Sequence, residues 1–231
     1  MIQGEPLVRW DWIADHTGEI AQRMGEHLLL TAVAVGMGFA IAFALSLLVL
    51  RLPKLEQPTT LVTGTLYTIP SLALFVLLVP YTGFTLLTAE IGLVSYTLLI
   101  LIRNILAGIR GVPAEVHESA VGMGYTARQV MWKVQLPLAL PVIVAGIRIA
   151  TITTIGLVTV TALIGQGGLG YFILIGLQRF FWTPLVRGAV LSIALAVAAD
   201  GALVLAQRAL TPWSAAPAAL WREASRPSAK P

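Results

Sequence analysis

Pro113-Ala-Glu-Val-His-Glu-Ser-Ala-Val-Gly-Met-Gly124 and Tyr125-Thr-Ala-Arg-Gln-Val-Met-Trp-Lys-Val-Gln-Leu-Pro-Leu-Ala-Leu-Pro141 form a polar stretch between long apolar runs. Pro113 suits the first turn of a helix, where Glu115 and Glu118 meet the positive end of the dipole. Gly122 and Gly124 can end that helix in a left-handed conformation, and Thr126 can cap a second one. The second helix is expected to stop near Pro137, which cannot continue an interior turn. Two short helices joined by a glycine elbow would then protrude from a membrane face, a shape suited to a groove on another protein.

Outward from this stretch, composition sets the class. Of 231 residues, 57% are hydrophobic and 11% charged, with a mean hydropathy of +0.85. Soluble domains carry about a quarter charged residues. The sequence is therefore read as an all-α membrane protein. A net charge of +4 and a pI near 9.8 could indicate nucleic-acid binding, but the basic residues cluster at the ends of apolar runs. That placement sets membrane orientation, so no nucleic-acid partner is expected. The absence of cysteine excludes disulfides, thiolate metal sites and cysteine nucleophiles.

Five spans are expected: Leu28 to Leu50, Thr59 to Val79 with Pro70 inside, Phe84 to Ile102, Leu138 to Ile164, and Leu185 to Ala206. Residues 1–27 are polar; Asp11, Asp15 and Glu19 mark one helical face and Ile13, Ile20 and Met24 another, as in a helix lying along the interface. Residues 28–206 form the transmembrane domain, and the Pro-, Ala- and Ser-rich residues 207–231 read as a disordered tail. With five spans, Arg51, Lys54, Arg103, Arg110, Arg128, Lys133, Arg208, Arg222, Arg226 and Lys230 fall on one side. Arg9, Arg23, Arg179 and Arg187 fall on or near the other. The positive-inside rule places the N-terminus outside and both the 113–137 loop and the C-terminus in the cytoplasm.

Other signals weigh less. Gly165-Gln-Gly-Gly-Leu-Gly170 matches GxGxxG, but the preceding run is membrane-length and the next acid, Asp200, lies inside another span. A glycine-rich turn or re-entrant segment is the better reading. None of Lys54, Lys133 and Lys230 precedes Ser or Thr, so there is no P-loop and ATP hydrolysis by that route is excluded. His16, His27 and His117 show no metal spacing and read as plain surface residues; no metal site is expected. Tyr171, Phe172, Phe180, Phe181 and Trp182 read as an interfacial aromatic belt. Glu90, Arg148 and Asp200 lie within spans, where ionisable groups face a bundle interior or an aqueous path; for Arg148 and Asp200 a structural role, paired or snorkelling to the cytoplasmic side, stays open.

Glu118-Ser-Ala120, three residues, Gly124, nine residues, then Val134-Gln-Leu-Pro137 resembles the EAA loop of bacterial ABC-importer permeases. Ser119 and Val134 depart from the Ala and Ile of that pattern without changing its backbone demands. Tyr67-Thr-Ile-Pro-Ser-Leu-Ala-Leu74, Ile102-Arg-Asn104, Gly108-Ile109 and Gly165–Gly170 extend the resemblance over about residues 26–205, toward permeases for glycine betaine, carnitine and choline. The resemblance implies a type I importer permease in the bacterial plasma membrane. Its partners would be a second permease subunit, an extracytoplasmic substrate-binding protein and an ATP-binding subunit that holds the ATP and Mg; this chain would carry no cofactor and no catalytic residue.

In this reading Glu118, Ser119, Ala120, Gly124 and Pro137 couple to the ATPase: Glu118 caps or anchors the docking helix, Gly124 forms the elbow and Pro137 marks the return to the membrane. The polar second span with Thr68 and Ser71, the fourth with Thr151, Thr153 and Thr154, and Glu90 would line the path. A permease for another solute, such as an amino acid or oxyanion, an ion-driven secondary transporter, and a non-transporting scaffold stay open as alternatives. Topology is directly testable because the chain has no cysteine. An impermeant thiol reagent should label a cysteine at Thr82 from outside and one at Thr126 only after permeabilisation; labelling of both from one side would remove the five-span arrangement.

Overall fold

The computed structural model describes residues 8–215, and among these all regular structure is helical. A short helix α1 (Trp10–Asp15) precedes α2 (Thr17–Arg51), one unbroken helix of 35 residues. The interfacial segment expected up to His27 is therefore not a separate unit: residues 17–27 continue straight into the first span. A turn at Pro53–Leu55 leads to α3 (Glu56–Thr68) and α4 (Ser71–Thr82), then to α5 (Leu86–Arg110). The polar stretch folds as α6 (Ala114–Gly122) and α7 (Ala127–Val130). A π turn (Met131–Gln135) joins α7 to α8 (Leu136–Val160), and α9 (Gly170–Gln178) and α10 (Trp182–Leu210) follow. Residues 207–210, expected in the tail, belong instead to α10, which reaches Leu210, and a turn follows at Pro212–Ala215. Residues 216–231 lie outside the described residues.

Among the described residues four helices are long and apolar enough to cross a membrane, and a fifth crossing is supplied if α3 and α4 count as one bent pair. The expected continuous span from Thr59 to Val79 is thus broken. Its two halves meet at 99°. The cause is local: Pro70 biases the residue before it away from the helical region, and Ile69 is extended at φ −64, ψ 128. Tyr96 Oη donates to the Ile69 carbonyl freed at the bend, answering the requirement that backbone groups at membrane depth find a partner within the protein.

The core is a three-helix sandwich with α5 between α2 and α8. One cluster gathers Leu30 and Ala34 with Ala89, Leu93 and Val158; the next gathers Ala42 and Val49 with Leu101, Ile105 and Ala139. Rising numbers on α2 match rising numbers on α5, so those two helices run parallel. Apolar side chains gain little by leaving lipid for one another, so association rests on close backbone approach through small residues. A Cβ on Gly38 would lie 1.9 Å from Thr97 Oγ1, and one on Gly146 would lie 2.4 Å from Asn104 Cβ.

The crossing makes a direct prediction. Gly38→Ala should lower thermal stability in detergent by ~1–3 kcal/mol, the usual cost of overpacking. Gly36→Ala, where no atom lies within 4 Å of the new Cβ, should stay close to wild type. Adding Thr97→Ala should recover part of the Gly38→Ala loss. Equal melting curves for the Gly36 and Gly38 variants would show that this crossing does not set the helix spacing.

Candidate functional site

The elbow is built from backbone hydrogen bonds. Gly124 sits at φ +85, with its N–H donating to Val121 O at 2.9 Å. Tyr125 N donates to Ala120 O at 3.1 Å. Together these are a Schellman cap on α6, with Gly124 as the left-handed residue just past the helix. Gly122 is the last helical residue and has no positive φ. Nothing lies within 4 Å of a Cβ on Gly124, so its conformation, not space, is what requires glycine. The chain restarts at once: Gln129 N donates to Thr126 Oγ1 at 3.4 Å and Thr126 N to Gln129 Oε1 at 2.8 Å, a reciprocal capping box.

Pro137 does not stop the second helix. Leu136 N donates to Met131 O, five residues back, and this wider π turn accommodates the proline ring and its missing N–H. The result is one continuous helical path from Ala127 to Ile164. Glu118 does not cap α6 either. It is exposed, lies beyond the first turn and its carboxylate makes no hydrogen bond among the described residues; Glu115 is the first-turn acid. Ser119 Oγ donates to Glu115 O at 2.7 Å, and Ala120 is buried at 1% exposure. Around these groups Val121, Met123 and Trp132 stand exposed at 52%, 69% and 49%. The elbow is therefore an apolar protrusion with an acidic edge. His117 Nδ1 and Gln135 Nε2, 3.4 Å apart, tie α6 to the π turn.

The expected path residues do not share one cavity. Thr68 lies in an open groove of about 700 Å³ along α3, with Gln57, Thr60, Gly64 and Thr65 on the same helical face. Ser71 opens α4 beyond the bend. Thr151 and Thr153 are partly exposed on α8, whereas Thr154 (1%) and Glu90 (9%) point into the bundle. Glu90 Oε2 has no hydrogen-bond partner.

Several side chains were misjudged from sequence. His27 is fully buried and its Nε2 donates to Ile155 O at 3.1 Å; His16 stacks on Trp12 at 4.1 Å. Phe172, assigned to a belt, is a core residue at 0% exposure. Arg187 is buried between the rings of Trp12 and Phe172, at 4.7 and 4.2 Å. Such partners are distant in sequence, and no local pattern marks them. Gly168, at φ +41, seats the Gly165–Gly170 turn on α2: a Cβ there would lie 2.6 Å from His27 Cβ and 2.8 Å from Arg23 O. Arg148 and Asp200 pair bidentately across α8 and α10, at 2.9 and 3.1 Å.

Comparison with known proteins agrees with this geometry. Residues 34–212 match the family described as "Binding-protein-dependent transport system inner membrane component". The chain is 37% identical over 195 residues to the choline transport system permease protein OpuBB of Bacillus subtilis (strain 168), covering 84% of this chain and 90% of that one. It is 35% identical over 206 residues to the osmoprotectant import permease protein OsmW of Salmonella typhimurium (strain LT2), covering 87% and 96%. An inward-facing structure of the MetNI methionine ABC transporter superposes with a TM-score of 0.77 at 25% identity, over 85% of this chain and 98% of that one. This chain is a multi-pass membrane protein and belongs to the family of binding-protein-dependent transport system inner membrane components.

Proposed function

We propose that this permease subunit carries a compact quaternary ammonium solute such as glycine betaine, choline or carnitine, driven by a separate ATP-binding subunit that docks on the α6–α7 elbow. The observation that carries the coupling role is the elbow itself, where a helix closed by Gly124 and another opened by Thr126 present exposed Val121 and Met123 away from the bundle. Ala120, Ser119 and Glu118 form the body of the docking helix. Glu118 supplies charge to its exposed face, a role suited to steering a partner. ATP and Mg would reside on that partner. The basic-residue asymmetry supports an elbow on the cytoplasmic side, with the N-terminus outside.

The polar stripe on α3 supports the path. Gln57, Thr60, Thr65 and Thr68 recur at helical spacing on an open surface that they share with Leu61 and Gly64. A second permease subunit facing this stripe would enclose it. Thr151 and Thr153 add hydroxyls from α8, while Glu90 and Thr154 serve the bundle interior. A receptor outside the membrane would supply most solute recognition. The substrate class rests on the relatives, whose names specify choline and osmoprotectants.

Two measurements test this. Vesicles holding the full set of subunits should accumulate labelled glycine betaine, choline or carnitine; uptake of methionine or an oxyanion instead would move the chain to another substrate class. Gly124→Val forces a β-branched residue into a left-handed conformation, a strain of ~1–3 kcal/mol. It should insert normally yet lose about tenfold or more in uptake, and bind the ATPase subunit less well. Glu118→Lys should act in the same direction through the exposed face. Wild-type uptake by both variants would show that the elbow does not couple.

A further inference from the structure

The last helix is held to the bundle unevenly. In α10 the buried residues are Thr183, Pro184, Arg187, Gly188 and Ser192, and none after Ser192 is buried. Few residues of its most apolar window are fully buried by the rest of the chain, although Leu195, Leu203 and Val204 are half-buried. Beyond Ser192 the hydrogen bonds to α8 are polar. Arg148 Nε donates to Asp200 Oδ1 at 2.9 Å and Arg148 NH2 to Asp200 Oδ2 at 3.1 Å. Arg148 NH1 reaches Gln207 Oε1 at 3.4 Å, and Gln207 Nε2 donates to Pro141 O at 3.2 Å.

The spacing makes these contacts one device. Pro141 and Arg148 are seven residues apart on α8, as are Asp200 and Gln207 on α10, in the register of two antiparallel helices. Each anchor therefore lies on one face, two turns from the next. Ions at membrane depth are costly, and apolar residues of similar size would hold two helices at least as well. A planar guanidinium gripped by a carboxylate instead fixes orientation and register. The α8 side of this grip belongs to the helical path that starts at Ala127, just past the Gly124 elbow, without interruption.

We propose that Arg148, Asp200 and Gln207 are positioning residues that clamp the second half of α10 to α8, so that displacement of the docking elbow moves both helices as one piece. The inference rests on the elbow being the docking site. Without the clamp, α8 would still follow the ATPase, but α10 would stay behind in lipid. Hydrolysis would continue while transport lagged.

The test uses the complete transporter in liposomes, with uptake of labelled glycine betaine, choline and carnitine and receptor-dependent ATP hydrolysis measured in the same vesicles. Arg148→Ala with Asp200→Ala truncates both sides of the grip, so that no side chain bridges the helices there, and leaves no orphaned charge. This pair should insert at normal levels and hydrolyse ATP, with solute moved per ATP lower by about fivefold. Gln207→Leu keeps the ion pair and should fall in the same direction by less. Exchanging the charges, Arg148→Asp with Asp200→Arg, should recover part of the ratio. A wild-type ratio in both the alanine pair and Gln207→Leu overturns the clamp alone, as does a parallel fall of uptake and hydrolysis tracking protein amount. A wild-type assembly that neither imports any of the three solutes nor hydrolyses ATP overturns the docking reading and the clamp with it.

Discussion

The close approach of α2, α5 and α8 is the constraint on which the rest of the structure depends. In lipid, large apolar side chains distinguish poorly between a neighbouring helix and an acyl chain, so the contacts that decide the arrangement are those where backbones nearly touch. Gly38 against Thr97 and Gly146 against Asn104 bring both flanking helices onto α5. With that sandwich fixed, the loop between α5 and α8 can only emerge at one end of the bundle. The elbow inherits its position from two glycines that it never contacts.

Irregular backbone occurs where a specific group repairs it. At the α3–α4 bend the free Ile69 carbonyl is taken by Tyr96. Before Pro137, one π turn spares the helix a break. After α6, Gly124 and Tyr125 return their N–H groups to Val121 and Ala120. The three proline or glycine sites thus have three different outcomes: a sharp bend, a continuous rod and a tight cap. Residue type alone did not distinguish them.

That difference marks where sequence reasoning succeeds. The membrane class, the helical character of each apolar run, the elbow at Gly124 and the cap at Thr126 were legible because each depends on residues within a few positions of one another. The halt predicted at Pro137 failed because π turns leave no compositional mark. Pro70 sat in plain view, but whether a proline kinks or breaks a span depends on what receives the freed carbonyl. His27 read as a surface residue and Phe172 as part of an interfacial belt because their partners, Ile155 and Arg187, lie on other helices. Pairing was among the readings open to Arg148 and Asp200 as ionisable groups within spans, but the bidentate grip depends on how two helices distant in sequence meet.

The glycine-rich turn after α8 has a mechanical consequence. Gly168 sits on the backbone of Arg23 and His27, Gln166 donates to Phe84 O at 3.2 Å, and Arg9 N donates to Thr183 Oγ1 at 3.1 Å. The end of the bundle away from the elbow is therefore keyed together like a joinery corner, with α1, α2, α9, α10 and the α4–α5 turn locked to one another. By contrast, α3 buries only Thr63. It is tied to α5 chiefly at its ends, by Arg110 on Glu56 at 2.6 and 2.8 Å and by Tyr67 against Tyr96. A body keyed at one end and lightly buried along one limb deforms at the limb. Internal strain reaching this subunit would thus concentrate at the 99° bend beside Pro70, and the far corner would serve as its fulcrum.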